Sequence, residues 1–233
     1  MVERIETLRP SSPVQCRPRL GAKSTLRLFC AVFLFSILIF SVPPSRTYIL
    51  ASAGRILIVD QSAGQTDVIV VAIDADGAGT LEAADLVRQG VSKRVAVFND
   101  PPTSVDREFL RRGLPYEDRA ATSIRQLHSL GIGSVEQIPR TTTGSEQEGY
   151  ILPGWCKEHG YHSVVLITSS DHSRRLSRIL RRSPHSHDIN VIVQSSPYSE
   201  FEPDAWWRSR EGIRTWIFEF EKLVLDVARH PFA

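Results

Sequence analysis

Ser163-Val-Val-Leu-Ile-Thr-Ser-Ser-Asp-His-Ser-Arg-Arg175 begins as an apolar run, breaks into hydroxyl, carboxylate and imidazole side chains, and continues as a basic segment. The pattern predicts a buried parallel strand feeding a polar loop at a helix start. In open parallel sheets the ligand crevice lies outside the carboxyl ends of the strands, and the free N–H groups of a helix start favour an anion. A small-molecule function is therefore expected at Ser169 to Arg175.

The pattern repeats on both sides of this stretch. Arg55-Ile-Leu-Ile-Val59 and Val68-Ile-Val-Val-Ala-Ile73 read as strands, the second continuous in apolar residues as a strand covered on both faces should be. Further strands are expected at Arg94 to Phe98, Val135 to Ile138 and Asn190 to Val193. Helices are expected at Thr80 to Gln89, Asp118 to Leu130, Ser145 to His159, Asp171 to Arg182 and Asp204 to Val227, with Pro153 kinking or splitting the third. Ile213, Ile217, Phe220, Val224 and Val227 form an apolar stripe in the last helix and predict its core-facing side. Alternating strands and helices imply βαβ units, hence an α/β chain with a mostly parallel, Rossmann-like three-layer α/β/α sandwich.

These residues carry a resemblance. A loop after Ile73, the segment Thr141-Thr-Thr-Gly-Ser-Glu146, the turn Thr168-Ser-Ser-Asp-His-Ser-Arg-Arg175 and a late Trp206-Trp207 pair occur in an order that resembles the YdcF/SanA/ElyC family, the domain of unknown function 218. The similarity spans about residues 55–228. It is carried best by Thr168, Ser169, His172 and Arg175 in the turn. The resemblance implies a Rossmann-like domain, often tethered to the bacterial inner membrane and linked to cell-envelope biogenesis. The chain departs from the family where a Gly-rich loop is usual, carrying Asp74-Ala-Asp-Gly-Ala-Gly79 instead. Asp74 and Asp76 thus stand in the ligand-binding loop as carboxylates where bare backbone is expected, and neither is suited to cradling phosphate. Phe98-Asn-Asp-Pro-Pro102 likewise replaces the family's frequent Ser-Gly-Gly.

Each candidate also has a plainer role. Ser169 and Ser170 can cap the helix near Asp171. Thr143 and Glu146 have capping-box spacing. Arg174, Arg178, Arg181 and Arg182 read as a solvated basic face. In the functional reading, Thr142, Thr143 and Glu146 face Ser169, His172 and Arg175 across one anion site. A hydroxyl, a carboxylate and an imidazole there suit acid/base work on a phosphate ester, and Arg175 aims a bidentate fork at the anion. The sequence names no reaction and no cofactor. It holds no Ser-x-Gly elbow, HExxH or Walker loop, and His185, His187 and Asp188 give only a weak metal signal.

Residues 1–27 hold six basic residues against Glu3 and Glu6, and Leu28 to Val42 is fifteen residues without a charge. At 1.5 Å per residue this run covers about 22 Å against a bilayer core of roughly 30 Å. The expected organisation is a basic cytoplasmic leader (1–27), a transmembrane signal anchor (28–42), a Pro-rich linker (43–54) and the α/β domain (55–228). A cleaved signal peptide and a buried core helix are the alternatives. The charge bias places the domain outside the cytoplasm on a single-pass inner-membrane anchor. Expected partners are the lipid bilayer through residues 28–42 and an anionic small molecule or lipid carrier. A net charge of +2 across 233 residues gives no reason to expect nucleic acid. Two further classes stay open: a non-catalytic envelope interaction module and a cytosol-facing adenosyl-cofactor binder. Cys156 is the one cysteine after residue 54, so no disulfide can form within the domain.

Overall fold

The computed structural model describes residues 42–142 and 144–232. Two compact units divide the chain, Met1–Arg46 and Thr47–Ala233, and every strand among the described residues belongs to the second. The expected leader (1–27) and, apart from Val42, the expected anchor (28–42) lie outside the described residues, among which no helix is long and apolar enough to cross a membrane.

Five parallel strands make one sheet in the order β3-β2-β1-β4-β5: β1 Val68–Val71, β2 Val95–Asn99, β3 Val135–Pro139, β4 Ser163–Thr168 and β5 Asn190–Ser195. The helices are α1 Pro43–Arg55, α2 Asp76–Arg88, α3 Ser104–Arg111, α4 Arg119–Ser129, α5 Ser145–Glu158, α6 Ser173–Arg181 and α7 Arg210–Arg229. Side chains alternate between strand faces, so successive residues enter different cores. Val68, Val70, Val164 and Leu166 pack with Leu152 and Cys156 of α5 and with Leu176 and Leu180 of α6. Ile69, Val71, Val165 and Ile167 pack with Ala83 and Leu86 of α2 and with Ala120 and Leu127 of α4. Strands buried on both faces are therefore apolar at every position, and the three-layer α/β/α architecture follows. Strand order reverses between β1 and β4, which directs their following loops to opposite faces and opens a crevice between them.

Several expectations are corrected. The linker at 43–54 is helix α1, because proline is tolerated in a first turn whose N–H groups have no intrahelical acceptor. At Gly54 this helix crosses so near the chain at Pro203 that an added Cβ would meet the Pro203 carbonyl at 2.2 Å. Arg55 to Val59 forms no strand. The chain instead covers the edge of β5, Gln61 exchanging bonds with Val193 and Asp60 accepting from the Ser195 N–H at 3.2 Å. Helix α3 was not anticipated; Thr103 and Asp106 close a capping box at its start. Pro153 sits inside α5 without splitting it.

The inward face of α7 is not the expected stripe. Ile213, Ile217, Val224 and Val227 are 39–51% exposed, whereas Glu219, Leu223 and Asp226 are buried. Polar pairing selects this face: Asp226 accepts from Arg178 at 2.7 Å and pairs with Arg182 at 2.7 Å, and Glu219 reaches the polar loop after β4. Arg178 and Arg182, expected to be solvated, thus tie the end of α6 to α7, while Arg181 is exposed as expected. Arg174 similarly donates to the Ile56 and Ile58 carbonyls. Trp206 stacks on Trp216 at 4.5 Å and meets Trp207 edge to face at 6.0 Å, and the indole N–H groups of Trp206 and Trp216 donate to the Leu50 and Ala53 carbonyls of α1, so Trp206 of the expected pair packs against α1 and α7.

Candidate functional site

β1 ends in a short 3₁₀ turn, Ile73–Ala75, and β4 ends in another, Ser170–His172. Asp74 joins them. Its Oδ2 accepts from Thr168 Oγ1 at 2.7 Å, the Ser169 N–H at 2.9 Å and Ser169 Oγ at 2.6 Å, while its Oδ1 is buried with no hydrogen-bond partner. Two residues on, Asp76 adopts φ +42°, a conformation easiest for glycine, in the loop where the resembling family is Gly-rich. In this chain the carboxylate of Asp74 takes up the end of β4, so Ser169 is bound to Asp74 instead of capping α6.

His172 is buried, and both ring nitrogens have partners. Nε2 lies 2.7 Å from Ser145 Oγ at the start of α5, and Nδ1 lies 3.2 Å from Glu219 Oε2 and 2.8 Å from Arg175 Nη2. A bare Nδ1 accepts from Arg175; a protonated Nδ1 donates to Glu219. Burial works against the imidazolium, but Asp74 and Glu219 outweigh it and hold the His172 pKa above its ordinary value. Burial likewise opposes ionisation of Glu219, yet the His172 hydrogen bond and the charges of His172 and Arg175 hold that carboxyl down to about 2.

Glu148, one turn beyond Ser145 on α5, completes the cluster from behind. Its Oε1 accepts from the Ile73 N–H at 2.9 Å and pairs with Arg140 at 3.3 Å. Arg140 is also buried, pairs with Asp100 at 3.1 Å and donates to the Gly144 carbonyl at 2.9 Å. Desolvation, reinforced by the Asp74 charge, pushes Glu148 up to about 7 despite Arg140. Close packing of α5 on α6 holds the arrangement: a Cβ on Gly149 would meet Ile179 Cγ2 at 2.4 Å.

In front of Asp74, Ser169 and His172 opens a crevice of about 620 Å³. Its wall carries the carboxylates of Asp74, Asp76, Asp171, Glu200, Glu211 and Glu219, and no Lys or Arg among the described residues. Hydroxyl groups of Ser169, Tyr198, Ser199, Ser209 and Thr215 lie between them. Asp171 is held above its usual carboxyl range, chiefly by burial.

Of the residues singled out in the sequence, Asp74, Asp76, Ser169 and His172 meet at this crevice. Arg175 bonds Glu219 and His172 from the far side and does not line it. Glu146 points outward and pairs with Arg182 at 2.5 Å. Thr142 donates through its N–H and hydroxyl to Gln147 Oε1. Thr143 lies outside the described residues, and the residue preceding α5 is Gly144, which offers no side-chain cap. His185 and Asp188 pair with each other at the surface, 3.2 Å apart.

Ser145, Glu148, Glu219 and Arg140 were not foreseen as parts of the site. A signal existed in the spacing: Ser145, Glu148, Gly149, Leu152 and Cys156 recur at three- and four-residue steps on one helix face, while Glu146 falls off it. A carboxylate on an inward stripe is what marks a site here.

Neither the protein-family models nor the curated proteins give a match to this chain. The functional reading rests on the site's own chemistry.

Proposed function

We propose that this chain is a bacterial envelope protein of the YdcF/SanA/ElyC type, anchored in the inner membrane through residues 28–42, whose extracytoplasmic α/β domain binds a phosphorylated, nucleotide-like or lipid-carrier ligand together with a cation. One observation carries the reading: the strand-order switch between β1 and β4 opens onto a crevice floored by Asp74, Ser169 and His172. Its volume falls within the range of about 300–1,000 Å³ common for small-molecule sites. The wall hydroxyls and carboxylates suit a ligand rich in hydroxyl groups. A phosphate among six carboxylates needs a balancing cation, since like charges in a partly buried site repel strongly.

The same acidic wall favours a second reading, a cationic ligand of the adenosyl-sulfonium kind, which requires a cytosol-facing domain. Equilibrium binding to the full-length chain separates the two. The first reading expects saturable binding of a nucleotide, nucleotide sugar or polyprenyl phosphate that depends on a divalent cation. That binding should weaken at least about tenfold in Thr215→Trp, which narrows the crevice from α7. Metal-independent binding of an adenosyl sulfonium, with no phosphorylated ligand bound, supports the second. Ligand binding that Thr215→Trp leaves unchanged overturns both.

A further inference from the structure

Asp74, Glu148 and His172 come from three separate elements, the turn after β1, helix α5 and the turn after β4, and each offers one ligand atom; these atoms lie within 4.8 Å of one another. With metal bonds of about 2.0–2.2 Å, two ligands of one ion stand about 3–4 Å apart, so a pair at the 4.8 Å limit closes by about 1–2 Å on binding. Three further features favour an ion over a merely structural knot. Asp74 Oδ1 is buried without a partner although Oδ2 of the same carboxylate accepts three hydrogen bonds, and a buried bare carboxylate oxygen is costly. Glu219 stands 3.2 Å from Nδ1 of His172, the position from which an outer carboxylate fixes the tautomer that leaves Nε2 free to ligate. Around the cluster, the carboxylates of Asp74, Asp100, Glu148 and Glu219 face the cations of Arg140, Arg175 and Lys222, a surplus of one negative charge when His172 is neutral.

We propose that Asp74, Glu148 and His172 form a divalent-metal site in the crevice floor, suited to Mn²⁺ or Zn²⁺. One imidazole with two carboxylates matches these ions better than Ca²⁺ or Mg²⁺, which prefer all-oxygen shells. Three protein ligands leave open positions, as in sites that act on a bound molecule. Asp74 and His172 line the crevice, so an oxygen of a bound ligand reaches those positions from the solvent side. Nε2 ligation turns the hydrogen bond of Ser145 away from the ring and leaves Arg175 on Glu219. The ion's use in the crevice rests on the ligand reading above; its binding does not.

A proton on Glu148 or His172 would also discharge the surplus, and direct metal binding distinguishes the two. The full-length chain in detergent, stripped with EDTA, is titrated with Mn²⁺ alone and followed by electron paramagnetic resonance, with Zn²⁺ as competitor. One Mn²⁺ per chain is expected, displaced by Zn²⁺. Its dissociation constant should rise at least about tenfold in Glu148→Gln and in His172→Gln, and about 10–100-fold in Glu219→Gln, which only positions the imidazole. Asp188→Asn at the surface His185 pair should leave it unchanged. Near-UV circular dichroism without metal checks each variant's fold. Absence of stoichiometric Mn²⁺ or Zn²⁺ binding by the folded wild type overturns the site, as does binding lost in Asp188→Asn but kept in Glu148→Gln. Metal-free binding of a phosphorylated ligand, with no Mn²⁺ bound, sinks this site together with the cation dependence proposed above, whereas one Mn²⁺ per chain with no phosphorylated ligand bound keeps this site and sinks the ligand reading.

Discussion

Arg140→Met keeps an apolar stem but removes the buried guanidinium and leaves Glu148, 3% exposed at its side chain, without its ion pair. Breaking one side of a buried pair costs about 3–5 kcal/mol, because the remaining charge keeps its desolvation penalty and loses its partner. For a domain of this size about 2–4 °C of melting temperature accompanies each kcal/mol, so a fall of about 6–20 °C is expected. Glu148 already sits at about 7, well above its ordinary value, and Arg140 is one of the groups holding it down. Its folded pKa is therefore raised further in the variant. A raised carboxyl loses stability as pH rises through the folded pKa, so the penalty should be larger at pH 8 than at pH 5. Asp100 is partly exposed and adds less. Glu148→Gln removes the stranded charge, so the double variant should melt well above Arg140→Met alone. Thermal unfolding of the full-length chain, followed by near-UV circular dichroism at both pH values, provides the readout. An Arg140→Met variant within about 2 °C of wild type, or a double variant no more stable than the single, would refute the reasoning.

Cys156 lies wholly buried, and burial pushes its thiol up to about 12, so its peptide should stay unmodified by thiol reagents at pH 8 until the chain is denatured, as mass spectrometry would show. Asp67 accepts from the His162 and Ser163 N–H groups at 2.8 Å, which holds its carboxyl below the usual range. The stability it supplies is present above its unfolded value of about 3.9 and is lost as pH falls through the folded value. Asp67→Asn should accordingly melt below wild type at pH 7, with the gap narrowing near pH 3. Alkaline phosphatase fused after Ala233 should be active if the basic leader stays in the cytoplasm, and an inactive fusion beside a fluorescent cytoplasmic reporter would reverse the orientation.

The sheet was legible because a strand buried on both faces must be apolar at every position, and Val68 to Val71 and Val164 to Ile167 read that way without ambiguity. The helices flanking these strands followed from their spacing. Arg55 to Val59 looked like a strand for the same reason, but its Leu57 packs under Trp206 and its neighbours supply side chains to an edge, which composition does not distinguish. The α7 stripe misled because charged groups outcompeted apolar ones for the inward face. Glu219 and Asp226 meet arginines that lie more than forty residues away in sequence, a pairing that exists only once α6 and α7 are folded together. Half of the site was visible in the turn at Ser169 and His172. Capping-box spacing singles out the outward Glu146, whereas the helix phase points to the inward Glu148.

The most direct measurement incubates the full-length chain in detergent with a cell extract containing lipids and soluble metabolites, and identifies retained molecules by mass spectrometry, comparing wild type with Thr215→Trp of equal melting temperature. The wild type should retain a phosphorylated, hydroxyl-rich molecule that Thr215→Trp does not, since the substituted residue lines the crevice beside Glu211, Gly212 and Glu219. Equal retention by both proteins would contradict a ligand site between β1 and β4.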